Sequence, residues 1–200
     1  MKNLTTTDHE KVCLSLVAAL CARDVYTRSH CDRVCALAMD LGNALDLRAY
    51  DLETLRIASQ LHDIGKIEVR DEVLLKPGPL TPEEWEEIKA HSIHGERIIN
   101  ESFLPNRTGV AAIVRHHHEA LDGSGYPDGL SGGEISQSCR ILSIVDKYDA
   151  MTSSRVYRHA LSHGEAMAIL QKETRTKLDP RIFAAFSTLI SSSQPCFAEP

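Results

Sequence analysis

No stretch of this sequence stays apolar for the roughly 20 residues that a membrane helix needs, so insertion into a bilayer is not expected. The opening MKNLTTTDHEKV lacks the basic-then-apolar order of a secretory signal, and a cytoplasmic location is the expectation. The six cysteines (Cys13, Cys21, Cys31, Cys35, Cys139 and Cys196) include no C-x-x-C pair. Cys13, Cys21, Cys31 and Cys35 fall inside helical patterns, where cysteine serves as a small apolar residue, and no disulfide framework is expected in a reducing compartment. An excess of positive charge is missing too: 22 Lys and Arg against 28 Asp and Glu give a formal net charge of −6. A general nucleic-acid binder would carry a basic face, so DNA is not an expected partner. An anionic substrate would need positive charge supplied locally.

Internal repeats, low-complexity linkers and runs alternating with period two are absent as well. What is present is helical spacing almost throughout, in 200 residues of which 42% are hydrophobic, enough for one domain with a substantial core. Amphipathic helices are predicted over 8–22, 28–46 and about 50–64, the last with Leu52, Leu55, Ala58 and Leu61 as its apolar stripe. Thr81, Pro82 and Glu84 form a capping box with proline in the first turn, opening a helix predicted to reach about 102. A helix over about 107–118 runs into DGSGYPDGLSGGE, too rich in turn residues for regular structure. Helical spacing resumes over 138–152, with Ile141, Ile144, Val145 and Tyr148 facing inward. Ser162 and Glu165 form a second capping box, and Asp179–Pro180 opens a last helix. The reading is an all-α single domain over 1–190, followed by a flexible tail over 191–200.

Ten histidines are many for this length, and their grouping carries the chemistry. In LHDIGK (61–66), His62 and Asp63 are adjacent and Lys66 follows within one helical turn, so the three can converge. An imidazole with a carboxylate suits a divalent transition metal, and the two oxygens of Asp63 could bridge two ions. In IKAHSIHG (88–95), His91 and His94 stand at i,i+3 and could share a cleft, or either could be a surface histidine. Three consecutive histidines, His116 to His118, point in different directions around a helix axis, so all three do not reach one metal pair. Asp146 interrupts an apolar stripe, where an isolated charge is costly, and must be paired or coordinated. Asp149 at i+3 could support a ligand or cap a turn. Arg155 and Arg158 offer planar donor forks suited to phosphate. Together these are the ingredients of a two-metal hydrolase, in which two ions activate a water and stabilise a leaving oxygen. Lys66 would stabilise charge developing on phosphoryl oxygens.

In this order HDIGK (62–66), H-x-x-x-G (91–95), HHE…DGSGYP…GL (117–130) and D-x-x-DAMTS…YR (146–158) resemble the HD-GYP domain, over about residues 8–190. An ordered series of this kind is far more specific than an isolated HD pair. The resemblance implies an all-helical HD-GYP bundle with a metal site between helices. It implies a metal-dependent phosphodiesterase that hydrolyses cyclic di-GMP to linear pGpG, GMP or both. It assigns His62, Asp63, His91, His117, His118 and Asp146 as metal ligands, with Asp63 bridging and His91 rather than His94 in the site. Asp63 and Lys66 are then the catalytic pair, Lys66 touching phosphate. Gly125, Tyr126 and Pro127 become the namesake loop, and Arg155 and Arg158 basic positions near the substrate. His30 is a candidate further ligand or a group supporting one.

Three departures stand out. Tyr26 replaces the glutamate that some relatives with a third metal carry four residues before the histidine corresponding to His30, which favours two ions. Arg155-Val156-Tyr157 replaces R-P-Y, and Arg175 stands where glycine is usual before the last helix. The expected cofactors are two divalent transition-metal ions, iron or manganese first, with zinc, nickel or cobalt as alternatives. Regulatory proteins or a diguanylate cyclase are candidate partners. The competing readings are a low-turnover cyclic-dinucleotide receptor or interaction module, and a phosphodiesterase for another cyclic dinucleotide.

Overall fold

A computed structural model describes residues 6–23, 25–153 and 159–193. Arg155 and Arg158 lie outside the described residues, as does the tail beyond 193. The elements are α1 (Thr6–Cys21), α2 (Val25–Ala44), α3 (Ala49–Leu61), α4 (Asp71–Leu74), α5 (Pro82–Lys89), α6 (His91–Glu101), α7 (Arg107–His116), α8 (Gln137–Thr152), α9 (His163–Glu173) and α10 (Pro180–Ser193). Two 3₁₀ turns, Ile64–Glu68 and Gly132–Glu134, join them. Among the described residues the β pairing amounts to one isolated bridge, Asp122 with Ser131. None of the described helices is long and apolar enough to cross a membrane. The all-α prediction holds.

Helix starts follow local chemistry. Thr81 Oγ1 accepts from the Glu84 backbone N–H while Glu84 Oε2 accepts from Thr81 N at 2.7 Å, and Ser162 with Glu165 repeats the device. Such a cap stabilises a helix by about 1 kcal/mol. Asp179 Oδ1 accepts from Arg181 N at 2.9 Å to open α10. That helix continues to Ser193, past the boundary expected at 190.

The core forms where apolar stripes meet. α3 lies between α2 and α7, α8 lies against α2, and α6 packs on α7 and on the first 3₁₀ turn. Leu55, Ala58 and Leu61 of α3 are buried as the stripe predicts, with Ile57 beside them and Leu52 half-buried. They meet Val34, Ala38 and Leu41 of α2, Val110 and Val114 of α7, and Ile141, Ile144 and Val145 of α8 in one cluster. Each fully buried valine, leucine or isoleucine among them is worth roughly 1.5–3 kcal/mol relative to exposure. Phe186 of α10 is fully buried in the same cluster and carries the ring of Tyr148 edge-on at 5.2 Å. Cys13, Cys31 and Cys139 are buried and Cys35 is half-buried, none of them in a disulfide among the described residues, as expected of cysteine used for packing.

Two predicted helices end early. The helix expected over 50–64 stops at Leu61, so His62 and Asp63 occupy a turn and Lys66 a 3₁₀ segment. Lys66 still meets Asp63, because residues i and i+3 eclipse in a 3₁₀ turn and Lys66 N donates to Asp63 O at 2.9 Å. The helix expected from 82 to about 102 breaks at Ala90 into α5 and α6. The reason is close packing of backbones at that point. A Cβ on Gly65 would lie 1.9 Å from the His91 carbonyl oxygen and 2.5 Å from Gly95 N, so the 3₁₀ turn passes directly over the start of α6.

Candidate metal centre

Three of the histidines are aimed by one local device. A helix leaves its last carbonyls without intrahelical partners, and histidine near the C-terminus can take one. His62 Nδ1 donates to Ser59 O at 2.8 Å at the end of α3. His91 Nδ1 donates to Ile88 O at 2.7 Å at the end of α5, and His117 Nδ1 to Val114 O at 2.7 Å at the end of α7. Each bond spans three residues, holds the ring still and leaves Nε2 as the free lone pair. The break at Ala90 thus creates the helix end from which His91 is aimed.

The freed nitrogens converge. His91, His117 and His118 offer ligand atoms all within 4.8 Å of one another, and His30, His62 and Asp63 form a second such group. Asp63 stands between them. Its Oδ1 lies 3.6 Å from His91 Nε2, and its Oδ2 lies 3.6 Å from His62 Nε2 and 3.8 Å from His30 Nε2. Asp146 of α8 adds Oδ1 at 3.2 Å from His30 Nε2 and 3.6 Å from His62 Nε2, so its place in an apolar stripe is explained by pairing. Lys66 Nζ donates to Asp63 Oδ2 at 2.7 Å.

These residues fit divalent cations. His91 Nε2 and His117 Nε2 are buried without a hydrogen-bond partner, a costly arrangement unless something accepts their lone pairs. Burial pushes His91 down to about 4 and His118 to about 3, and holds His117 well below its usual range, so all three are neutral ligands at pH 7. Burial would raise Asp63, but Lys66 and the surrounding imidazoles hold it well below the usual carboxylate range. Burial acts likewise on Asp146, and hydrogen bonds from His30 and His62 reverse it. Burial alone would lower His30, but its bonds to Asp146 and Asp149 raise it to about 9.

The loop over 119–130 closes against this cluster. A Cβ on Gly125 would lie 2.4 Å from Ala120 N and from Glu119 Cα, so only glycine lets the loop backbone pass there. Tyr126 N donates to His118 O at 3.3 Å, and the Tyr126 ring lies 4.7 Å from that of His118. Burial, with Asp146 and Asp63 nearby, raises the Tyr126 phenol above its ordinary value and keeps it protonated. Glu119 is buried and accepts from Asp128 N at 2.8 Å and Leu130 N at 3.1 Å, tying Pro127 and the rest of the loop to the end of α7.

Of the predicted residues, His62, Asp63, Lys66, His91, His117, His118, Asp146 and Tyr126 come together, and His30 joins them. His94, held open beside His91 by spacing alone, turns instead to Glu68 at 3.1 Å. His116 pairs with Asp128 at 2.8 Å, outside the cluster. Arg33, Ser59 and Glu119 were not singled out from sequence. Glu119 and Arg33 carried a signal in hindsight, one as a charge beside two buried histidines and the other one helical turn from His30.

The sequence pattern of the HD domain family matches residues 14–182. The 3'3'-cGAMP-specific phosphodiesterase 3 of Vibrio cholerae is 38% identical over 170 residues, 85% of this chain and 36% of that protein. A cyclic di-GMP phosphodiesterase of Thermotoga maritima is 38% identical over 167 residues, 84% of this chain and 45% of that protein. The chain spans less than half the length of either relative. A solved HDG"Y"P protein from Bdellovibrio bacteriovorus shares the fold, with a TM-score of 0.67 at 19% identity over 82% of this chain and 52% of that one. Histidine and aspartate side chains gathered between helix ends, and a family pattern over most of the length, lead to one assignment: the chain belongs to the HD domain family.

Proposed function

We propose that this chain hydrolyses the phosphodiester bonds of a cyclic dinucleotide, cyclic di-GMP first, with two divalent transition-metal ions. The observation that carries this reading is the division of Asp63, whose Oδ1 faces His91 and whose Oδ2 faces His62 and His30. His91, His117 and His118 would hold one ion, His30, His62 and Asp146 the other, and Asp63 both. Bound there, such a pair supplies a nucleophilic water at neutral pH and neutralises charge on the reacting phosphate.

The chain's own groups do the rest. Lys66 presents an ammonium beside Asp63, where it would meet a non-bridging phosphoryl oxygen as its charge grows. Asp63 remains ionised under that positive charge and is available as a bridge. Tyr126 covers His118, and Gly125 and Pro127 hold the loop that carries it, so these three form one wall of the substrate site. Arg155 and Arg158 would take the second phosphate or a guanine edge. Iron or manganese is the expected metal, with zinc, nickel or cobalt as alternatives, and pGpG, GMP or both the product. A cytoplasmic location and regulatory or diguanylate-cyclase partners belong to the same reading.

A second substrate, 3'3'-cGAMP, is favoured by the relative in Vibrio cholerae named for it. The test is incubation of the purified chain, stripped and reloaded with Mn(II) or Fe(II), with each dinucleotide, followed by ion-exchange separation of products. Linear pGpG or GMP should appear from cyclic di-GMP and vanish with chelator or with Asp63→Ala. Tight binding of the dinucleotides by metal-loaded protein without cleavage would replace the enzyme with a receptor.

A further inference from the structure

We propose that Arg33 is a positioning residue for the ion assigned to His30, His62 and Asp146 and shared through Asp63, acting through Asp149. The inference rests on the two-ion reading above and adds a residue to it. His62, His91 and His117 are each aimed by a carbonyl three residues earlier in their own chain segment. His30 is different. It lies inside α2, where the backbone carbonyls are engaged in the helix, and its Nδ1 bonds instead to Asp149 Oδ2 of α8 at 2.7 Å. The direction of the His30 ring therefore depends on a side chain more than a hundred residues away.

Asp149 is itself held. Its side chain is only 4% exposed, and a buried carboxylate with one partner would be costly and free to rotate. Arg33 Nε donates to Asp149 Oδ1 at 2.5 Å and Arg33 Nη2 to Oδ2 at 2.9 Å, the two-point fork that fixes the plane of a carboxylate. Arg33 Nη2 also reaches Ser153 Oγ at 2.8 Å, at the C-terminal cap of α8. His30 and Arg33 share one face of α2, Asp146 and Asp149 share one face of α8, and Ser153 caps the end of that helix. The result is a relay: guanidinium fixes carboxylate, carboxylate fixes imidazole, and His30 Nε2 arrives 3.2 Å from both His62 Nε2 and Asp146 Oδ1. The group of His91, His117 and His118 has no part in it. Arg33 therefore supports one of the two ions and not the other.

The experiment counts ions without relying on turnover. The chelator-stripped chain is titrated with Mn(II), and free ion is followed by its electron paramagnetic resonance signal. Wild type should take up two ions. Arg33→Ala should keep one at wild-type affinity and bind the second 10–100-fold more weakly, the usual loss when a group orienting a metal-bound histidine is removed. Asp149→Asn should weaken the same ion, and the double variant should be no weaker than the worse single, because the two act in one relay. Two ions of unchanged affinity in Arg33→Ala would overturn the inference while leaving the two-ion reading intact. Equal weakening of both ions, or additive losses in the double variant, would overturn it too, by assigning Arg33 to general stability. A wild-type chain that binds no ion would remove the two-ion reading and this inference with it. Far-UV circular dichroism checks folding, and if Arg33→Ala does not fold, Arg33→Lys, which loses the fork, takes its place in the same comparison.

Discussion

Lys66 Nζ lies 2.7 Å from Asp63 Oδ2, the same oxygen that faces His62 and His30. The ammonium thus stands where one cation would share that oxygen, and it lies beside the place where phosphate charge would develop. Lys66→Ala should leave the uptake of two ions intact, with equal or slightly higher affinity, since a competing charge is gone. Turnover at saturation should fall by about 10²–10³, the range for losing one donor to a developing oxyanion. Mn(II) titration beside steady-state kinetics separates the two effects. Near-normal turnover would end the catalytic role given to Lys66.

Histidines close in sequence should behave differently. His91→Ala should lose one ion and most turnover, because its Nε2 is a buried lone pair aimed into the cluster. His94→Ala and His116→Ala break half-exposed pairs with Glu68 and Asp128, worth at most about 1 kcal/mol, and should keep both ions. Elemental analysis of the three purified variants checks this. Equal damage from His94→Ala and His91→Ala would mean that the wrong histidine has been placed in the site.

Gly125→Ala should destabilise the protein by about 1–3 kcal/mol, the cost of forcing an extra carbon against packed atoms. Its Cβ would press on the backbone of Glu119 and Ala120, neither of which is a flexible side-chain end. Displacing the loop also lifts Tyr126 from His118, so KM should rise more than kcat falls. Gly133→Ala is the control, with nothing within 4 Å of its added carbon, and its thermal unfolding should match wild type.

Chelated protein should be most stable near pH 6.5. His91 and His118, with folded values of about 4 and about 3 below an unfolded 6.5, stabilise the fold fully above 6.5. Their contribution is lost as pH falls from 6.5 through those values. His30, raised to about 9, has the opposite sign: its contribution is full below 6.5 and lost as pH rises through 9. Thermal melts in chelator from pH 4 to 10 should fall away on both sides, and a melting temperature that kept rising to pH 9 would contradict the sign given to His30.

Much of this arrangement was legible one segment at a time. The capping boxes at Thr81 and Ser162, the apolar stripe of α3 and the loop at Gly125 are local patterns, and the structure contains each of them. The break at Ala90 was not legible, because it answers to Gly65 crossing from a different segment. Spacing alone left His91 and His94 equivalent on a helix face. The two diverge because Ile88 O, at the end of α5, takes one ring while Glu68, far back in the chain, takes the other.

By itself the sequence determined the all-helical class and the kinds of ligand, because apolar spacing and side-chain chemistry are local. The carbonyls that aim three of the imidazoles became visible only once the helix ends were placed. Only the tertiary structure decided that His30 joins the cluster, that Arg33 and Asp149 stand behind it, and that the two oxygens of Asp63 face different groups. Those relations join α2, α3, α6 and α8. The direction of a side chain is set by whichever partner the packing of distant helices brings within about 3 Å, a distance that helical periodicity does not encode.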